Sequence, residues 1–395
     1  MAKWLFWLAW AVVYLGFIEP WNWAHLAKAL RSPSYLAALI GGLLPFTAPW
    51  LLGRMRSSLG SWPKVAAAFV PAIALGLLVY FVADKLYYAG RVYPFHPFLQ
   101  AQPPSFDSYP KEKPPATFRI LALGGSTTRD ARLPEAARYP KVLERILQER
   151  FPSVRIEVIN GGMDWYTSEH AAILYAFWAR DWTPDLVVFF EGINDLYRSC
   201  SPRSYAVGPF RRDYAHFYGP VIRPYHTPSF ESAIVGPFVR RWYRSLRAKA
   251  RPTPMPVEYF ESIATHERNV RTLVRLVRAE GTKLILGTQA SLYRPDLSAE
   301  ELKSLWFGEN FCLAEGRYPD HESLGAAMAK VNEGLRRIAL EESVPLADND
   351  RAVPKTGEYF SDDVHSKKPG AQVVAETIAA AILGAGYLSE FTAKK

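Results

Sequence analysis

Three short stretches carry the side chains of this sequence most able to do chemistry together. Ser126 stands in Gly124-Gly125-Ser126-Thr127. Paired glycines allow a tight turn that exposes a hydroxyl, although the same turn suits a helix-capping serine or a phosphate cradle. A phosphate loop wants Lys beside the Ser/Thr, and Thr127-Thr128-Arg129 supplies none. Asn194 stands in Gly192-Ile193-Asn194-Asp195. A side-chain amide there can donate to an oxyanion, or simply cap a turn. Asp362-Asp363-Val364-His365 puts a carboxylate three residues before an imidazole. That carboxylate can bond Nδ1, fix the tautomer and leave Nε2 as a general base toward a serine. Asp363 competes for the role, and spacing favours Asp362. The plainer alternative is a solvated acidic turn with a capping His.

These residues need elements to hold them. Apolar runs at Phe118–Leu123, Val154–Ile159, Leu186–Phe190, Lys283–Gly287 and Val344–Ala347 read as strands. Helical periodicity predicts helices at Tyr139–Arg150, His170–Arg180, Ser262–Ala279, Ala326–Glu341 and Gly370–Leu383. Buried strands alternating with helices predict an α/β domain with a parallel sheet covered on both faces. Sites in such folds lie at the carboxyl ends of strands, where Ser126 and Asn194 fall.

Asn160-Gly161-Gly162 follows the second strand, so four blocks occur in order along the chain. Together they resemble the SGNH (GDSL-like) hydrolase family over about residues 118–385. The resemblance implies a flavodoxin-like three-layer α/β/α sandwich and acyl transfer through a covalent acyl-enzyme. Ser126 would be the nucleophile, His365 the base and Asp362 its orienter. The oxyanion hole would be the N–H of Ser126, a backbone N–H of the second block and the Asn194 amide. The family often has Gly five residues after the block's Asn, and here that position is Trp165. Gly162 and Trp165 therefore stand as alternative donors. Gly125 replaces the Asp common before the nucleophile.

Residues 1–92 differ from the rest. Trp4–Ile18, Tyr35–Leu52 and Val65–Ala83 are apolar, and the third carries no charge over nineteen residues, enough to cross a bilayer. About three transmembrane helices are expected. Lys3, Arg54, Arg56 and Lys64 against Lys28 and Arg31 favour a cytoplasmic N-terminus and an extracytoplasmic hydrolase domain, periplasmic or on the outer face. Residues 93–117 are proline-rich and predict a stiff linker, leaving 118–395 for the hydrolase-like domain.

The charge is localised. Over 198–251 there are eleven Lys/Arg and two acids, which equals the whole chain's excess of +9, with aromatics interleaved. An anchored extracytoplasmic domain argues against nucleic acid; anionic headgroups or an anionic glycan fit better, and a solvated surface helix at Phe238–Ala250 is the plainer alternative. Residues 293–321 are a candidate lid. Cys200 and Cys312 would meet an oxidising space and are candidates to pair. Two cysteines exclude a disulfide scaffold, and no residue set has metal-ligand spacing, so no cofactor is expected.

The resulting expectation is a membrane-anchored serine esterase acting on an acyl or acetyl ester of a cell-envelope glycan or lipid. An O-acyltransferase using the same acyl-enzyme is the alternative, and a silent glycan-binding or scaffolding protein is the third reading. Oligomeric state is not legible.

Overall fold

The computed structural model describes residues 104–200, 253–258, 260–311 and 317–393, together with Leu99 and Arg241. Arg241 apart, they belong to one compact unit formed by Pro94–Arg223 and Ala250–Lys395. The expected membrane segments of 1–92, most of the basic insertion 198–251, the side chain of Cys200 and all of Cys312 lie outside the described residues. Among the described residues, no single helix is long and apolar enough to cross a membrane.

The unit is built on a parallel sheet in the order β2-β1-β3-β5-β7. Its strands are β1 (Thr117–Gly124), β2 (Arg155–Gly162), β3 (Leu186–Phe190), β5 (Lys283–Gly287) and β7 (Leu346–Ala347). A separate two-stranded ladder joins β4 (Thr253–Met255) to β6 (Arg317–Pro319). Every residue of β1 and β3 is buried, as befits central strands covered on both faces.

Two hydrophobic layers flank the sheet. On one face, Leu121, Leu123, Val187 and Phe189 meet helices α3 (Ser168–Phe177), α5 (Ser262–Ala279) and α8 (His321–Glu341). On the other, Ile120, Ala122, Val188 and Phe190 meet α2 (Tyr139–Arg150) and α10 (Lys368–Gly384). Alternate residues of one strand thus feed opposite cores, the period-2 geometry of a strand. Each fully buried Val, Leu or Phe contributes about 1.5–3 kcal/mol. The expected three-layer α/β/α architecture is what forms.

Several boundaries move outward from the sequence reading for local reasons. Helix α8 starts at His321 rather than Ala326, because Asp320 accepts the Ser323 N–H at 2.8 Å as an N-cap. Helix α3 starts at Ser168, where Thr167 and His170 form a reciprocal cap. The proline-rich stretch does not stand clear of the domain at its C-terminal end. Phe106 is buried edge-to-face on Trp182 at 5.1 Å, and the Trp182 indole donates to the Tyr109 carbonyl at 3.0 Å.

The register sets up the site. Gly124 of β1 lies opposite Gly162 of β2 and Phe190 of β3. All three strands therefore end at one level, and the residues immediately after them converge on one sheet edge.

Candidate active site

Strand β1 gives way at Gly125 to the one-turn helix α1 (Ser126–Arg129), with Ser126 half-buried as its first residue. Gly125 is required here by close approach. A Cβ on it would lie 2.1 Å from Glu191 Oε2 and 2.5 Å from Asn194 Nδ2.

The Ser126 hydroxyl and His365 Nε2 are 2.8 Å apart. On the far side of the ring, His365 Nδ1 faces Asp362 Oδ1 and Oδ2 at 2.9 and 3.0 Å. This pairing requires the tautomer with its proton on Nδ1, leaving Nε2 to accept from serine. The turn organises itself, since Asp362 Oδ1 also accepts the backbone N–H groups of Val364 and His365. Asp362 and His365 are buried. Arg132 forms an ion pair with the outer oxygen of Asp362. Burial alone would raise the Asp362 carboxyl. The hydrogen bond and charge of His365, the Arg132 charge and the His365 N–H override it and hold the group well below the usual range.

Asp363 points elsewhere. It accepts the Tyr293 hydroxyl at 2.8 Å and the Trp306 and Phe307 N–H groups at 2.9 and 3.2 Å. Adjacent carboxylates thus divide two jobs: Asp362 orients the imidazole, and Asp363 ties the 293–311 segment to the site. Trp306 and Phe307 line the resulting cleft of ≈ 170 Å³ with Ser126, Arg132, Trp165 and Asn194.

The second and third blocks approach Ser126 differently. Asn194 follows β3 at the start of α4 (Ile193–Cys200). Its amide donates to the Tyr166 carbonyl at 2.9 Å, one of the two N–H bonds an amide carries. The N–H of Gly162 donates to Asn160 Oδ1 at 2.9 Å, and the residue backs onto α1, where a Cβ would meet Arg129 N at 2.3 Å. The Gly162 N–H is thus engaged within its own turn, the Asn160 amide ties β2 to the nucleophile turn by donating to the Thr128 carbonyl at 2.9 Å, and of the two second-block candidates Trp165 lines the cleft. Trp165 has φ +68°, the left-handed region. That backbone explains why glycine suits the position, and occupying it with an L side chain costs about 1–2 kcal/mol.

Three groups were not singled out from the sequence. Arg132 is one. Asp130 is buried, at φ 40°, in the charge field of His365 and Arg132. Burial pushes its carboxyl up to about 6, against the pull of the nearby cations. Glu191 is fully buried behind Gly125. A carboxyl directly after the all-apolar Leu186–Phe190 is the sequence signal that could have marked it.

A sequence model of the GDSL-like lipase/acylhydrolase family matches residues 122–373. The chain belongs to this family. By that membership it is an ester-bond hydrolase. Solved structures similar to this GDSL-like hydrolase include an α/β hydrolase enzyme from the metagenome of Lake Arreo, Spain, at 18% identity and TM-score 0.40, covering 67% of this chain and 94% of that one. An acetylxylan esterase from Geobacillus stearothermophilus is 16% identical, with TM-score 0.41 and coverage of 67% and 93%. A GDSL-like lipase from Bacteroides thetaiotaomicron is 13% identical, with TM-score 0.39 and coverage of 71% and 94%. No curated protein matches the sequence.

Proposed function

We propose that this hydrolase is a serine esterase with Ser126 as nucleophile, His365 as general base and Asp362 as its orienter. The relay of Ser126, His365 and Asp362 at 2.8 and 2.9 Å carries the reading. His365 Nε2 takes the hydroxyl proton as Oγ attacks an ester carbonyl. The carbonyl oxygen becomes an oxyanion, and the free N–H of the Asn194 amide, the Ser126 N–H and the Trp165 N–H are its assigned donors. Collapse expels the alcohol, which takes the proton from His365, and leaves an acyl-Ser126 ester. Water, deprotonated by the same imidazole, then releases the acid.

The substrate we assign is a short acyl or acetyl ester on a cell-envelope glycan or lipid. A cleft of ≈ 170 Å³ walled by Trp165, Trp306 and Phe307 suits a small acyl group. The apolar runs of 1–92 are assigned as the membrane anchor, placing the hydrolase domain outside the cytoplasm. The basic insertion is assigned to anionic headgroups or glycan.

The test is hydrolysis of 4-nitrophenyl esters of increasing chain length by the detergent-purified chain, against Ser126→Ala. Acetyl should be preferred over octanoyl, with turnover lost in the variant. In Trp165→Gly the preference should move toward the longer chain by about tenfold or more, the scale on which pocket volume discriminates methylenes. The variant should fold, because relief of about 1–2 kcal/mol of backbone strain offsets much of the about 1.5–3 kcal/mol lost with a large apolar side chain. An unchanged chain-length ranking would refute Trp165 as the limiting wall.

A further inference from the structure

Glu191 touches both halves of the site. It stands at the end of β3 with 0% of its surface exposed. Its Oε1 accepts the Asn194 backbone N–H at 2.9 Å. Its Oε2 lies against Gly125, at 2.1 Å from where a Cβ would be, with no side-chain partner. The N–H groups of Gly125 and Gly192 face the same carboxyl. One side chain therefore meets the peptide before Ser126 and the peptide that carries Asn194.

We propose that Glu191 is a positioning residue whose carboxyl clamps the Ser126 turn to the Asn194 turn, holding nucleophile and oxyanion donor in register. This rests on the site assignment of the preceding section. An apolar residue of similar size would fill the space but leave the Asn194 N–H without its acceptor. Glutamine keeps the shape and the acceptor.

Burial favours the neutral form of the clamp. The ionisable groups around it are Asp195, whose carboxylate binds the Ser168 N–H and hydroxyl, the buried Tyr139 from α2, and His266, whose Nε2 is 3.2 Å from the Glu191 carbonyl. None of them offers Oε2 a positive partner within hydrogen-bond reach. Burial, followed by the Asp195 charge, pushes the Glu191 carboxyl up to about 8, despite the backbone N–H groups that favour its ionised form. Above that pH a negative charge appears directly behind the place where an oxyanion must form. Turnover should fall there.

The sign for stability follows from proton counts. Between the ordinary value of 4.5 and about 8 the folded protein holds this proton and the unfolded chain does not, so folding stability falls as pH rises through that window. Glutamine has no proton to lose, so the stability difference between Glu191→Gln and wild type should grow in favour of the variant over the same window.

The experiment uses the full chain in detergent. 4-Nitrophenyl acetate turnover is followed from pH 6 to 9.5, with Ser126→Ala as background, for wild type, Glu191→Gln and Glu191→Leu, alongside urea unfolding at each pH. The wild type should lose turnover above about pH 8; Glu191→Gln should keep its pH 7 turnover and lose that decline. Glu191→Leu, if folded, should lose about 10²-fold in kcat with little change in KM, the scale of a misplaced reacting group. An alkaline decline that survives in Glu191→Gln, or full turnover in Glu191→Leu, overturns the proposal. Absence of Ser126-dependent turnover in wild type sinks the site assignment instead. In that case a stability difference that does not change with pH overturns the buried clamp as well, and one that grows with pH retains it.

Discussion

Asp362→Asn should lower kcat by about 10³–10⁴-fold while leaving KM nearly unchanged, the scale expected when the imidazole is held in the wrong tautomer. Asparagine keeps the size of the side chain and an oxygen to accept the Val364 and His365 N–H groups, so the turn survives. Its amide N–H₂, however, presents a donor to His365 Nδ1. The ring then carries its proton on Nε2 and can no longer accept from Ser126. Release of Arg132 adds little, because its side chain is 47% exposed and water can solvate it. Steady-state kinetics on 4-nitrophenyl acetate check this, with Asp363→Asn beside it. That second change weakens the tether of Trp306 and Phe307 and should act on stability and KM rather than on the proton relay. A loss below tenfold in Asp362→Asn would remove Asp362 from the mechanism.

Asn194→Ala should cost about 10²–10³-fold in kcat, the worth of one oxyanion donor in a water-poor site. Its amide sits beside the Ser126 turn, spends one N–H on the Tyr166 carbonyl and has a second to offer a developing charge. The structural part of the loss can be separated. Leaving the Tyr166 carbonyl without a partner should destabilise the fold by about 1–3 kcal/mol, read as a lower midpoint in urea. A variant as stable as this but with near wild-type kcat would show that Asn194 holds the loop and takes no part in the transition state.

How far the site was legible depended on what each residue does. Ser126, Asn194 and His365 were readable because their types do chemistry and because strand periodicity placed the first two at strand ends. Leu186–Phe190 and Ser262–Ala279 were found at their observed limits, since an all-apolar strand and a long amphipathic helix leave little freedom. The choice between Asp362 and Asp363 could be guessed from spacing, but the separate job of Asp363 depends on Trp306 and Phe307, nearly sixty residues away. Trp165 could be flagged as standing where glycine is usual, yet its φ of +68° belongs to the loop and not to the residue type. Glu191 escaped notice because sequence alone shows a carboxyl at a strand end, where solvent exposure is the ordinary state. Only the three-dimensional approach of Gly125 makes it a buried clamp. Asp130 and Arg132 escaped for the same reason, as their relations to His365 and Asp362 span more than two hundred residues.

Fluorophosphonate labelling of the detergent-purified full chain tests the central claim most directly, because it reads nucleophile activation without assuming the natural ester. The wild type should label stoichiometrically at Ser126, Asp362→Asn should label far more slowly, and Ser126→Ala should not label. Folded wild-type protein that fails to label, or labelling that persists in Ser126→Ala, would contradict an activated Ser126.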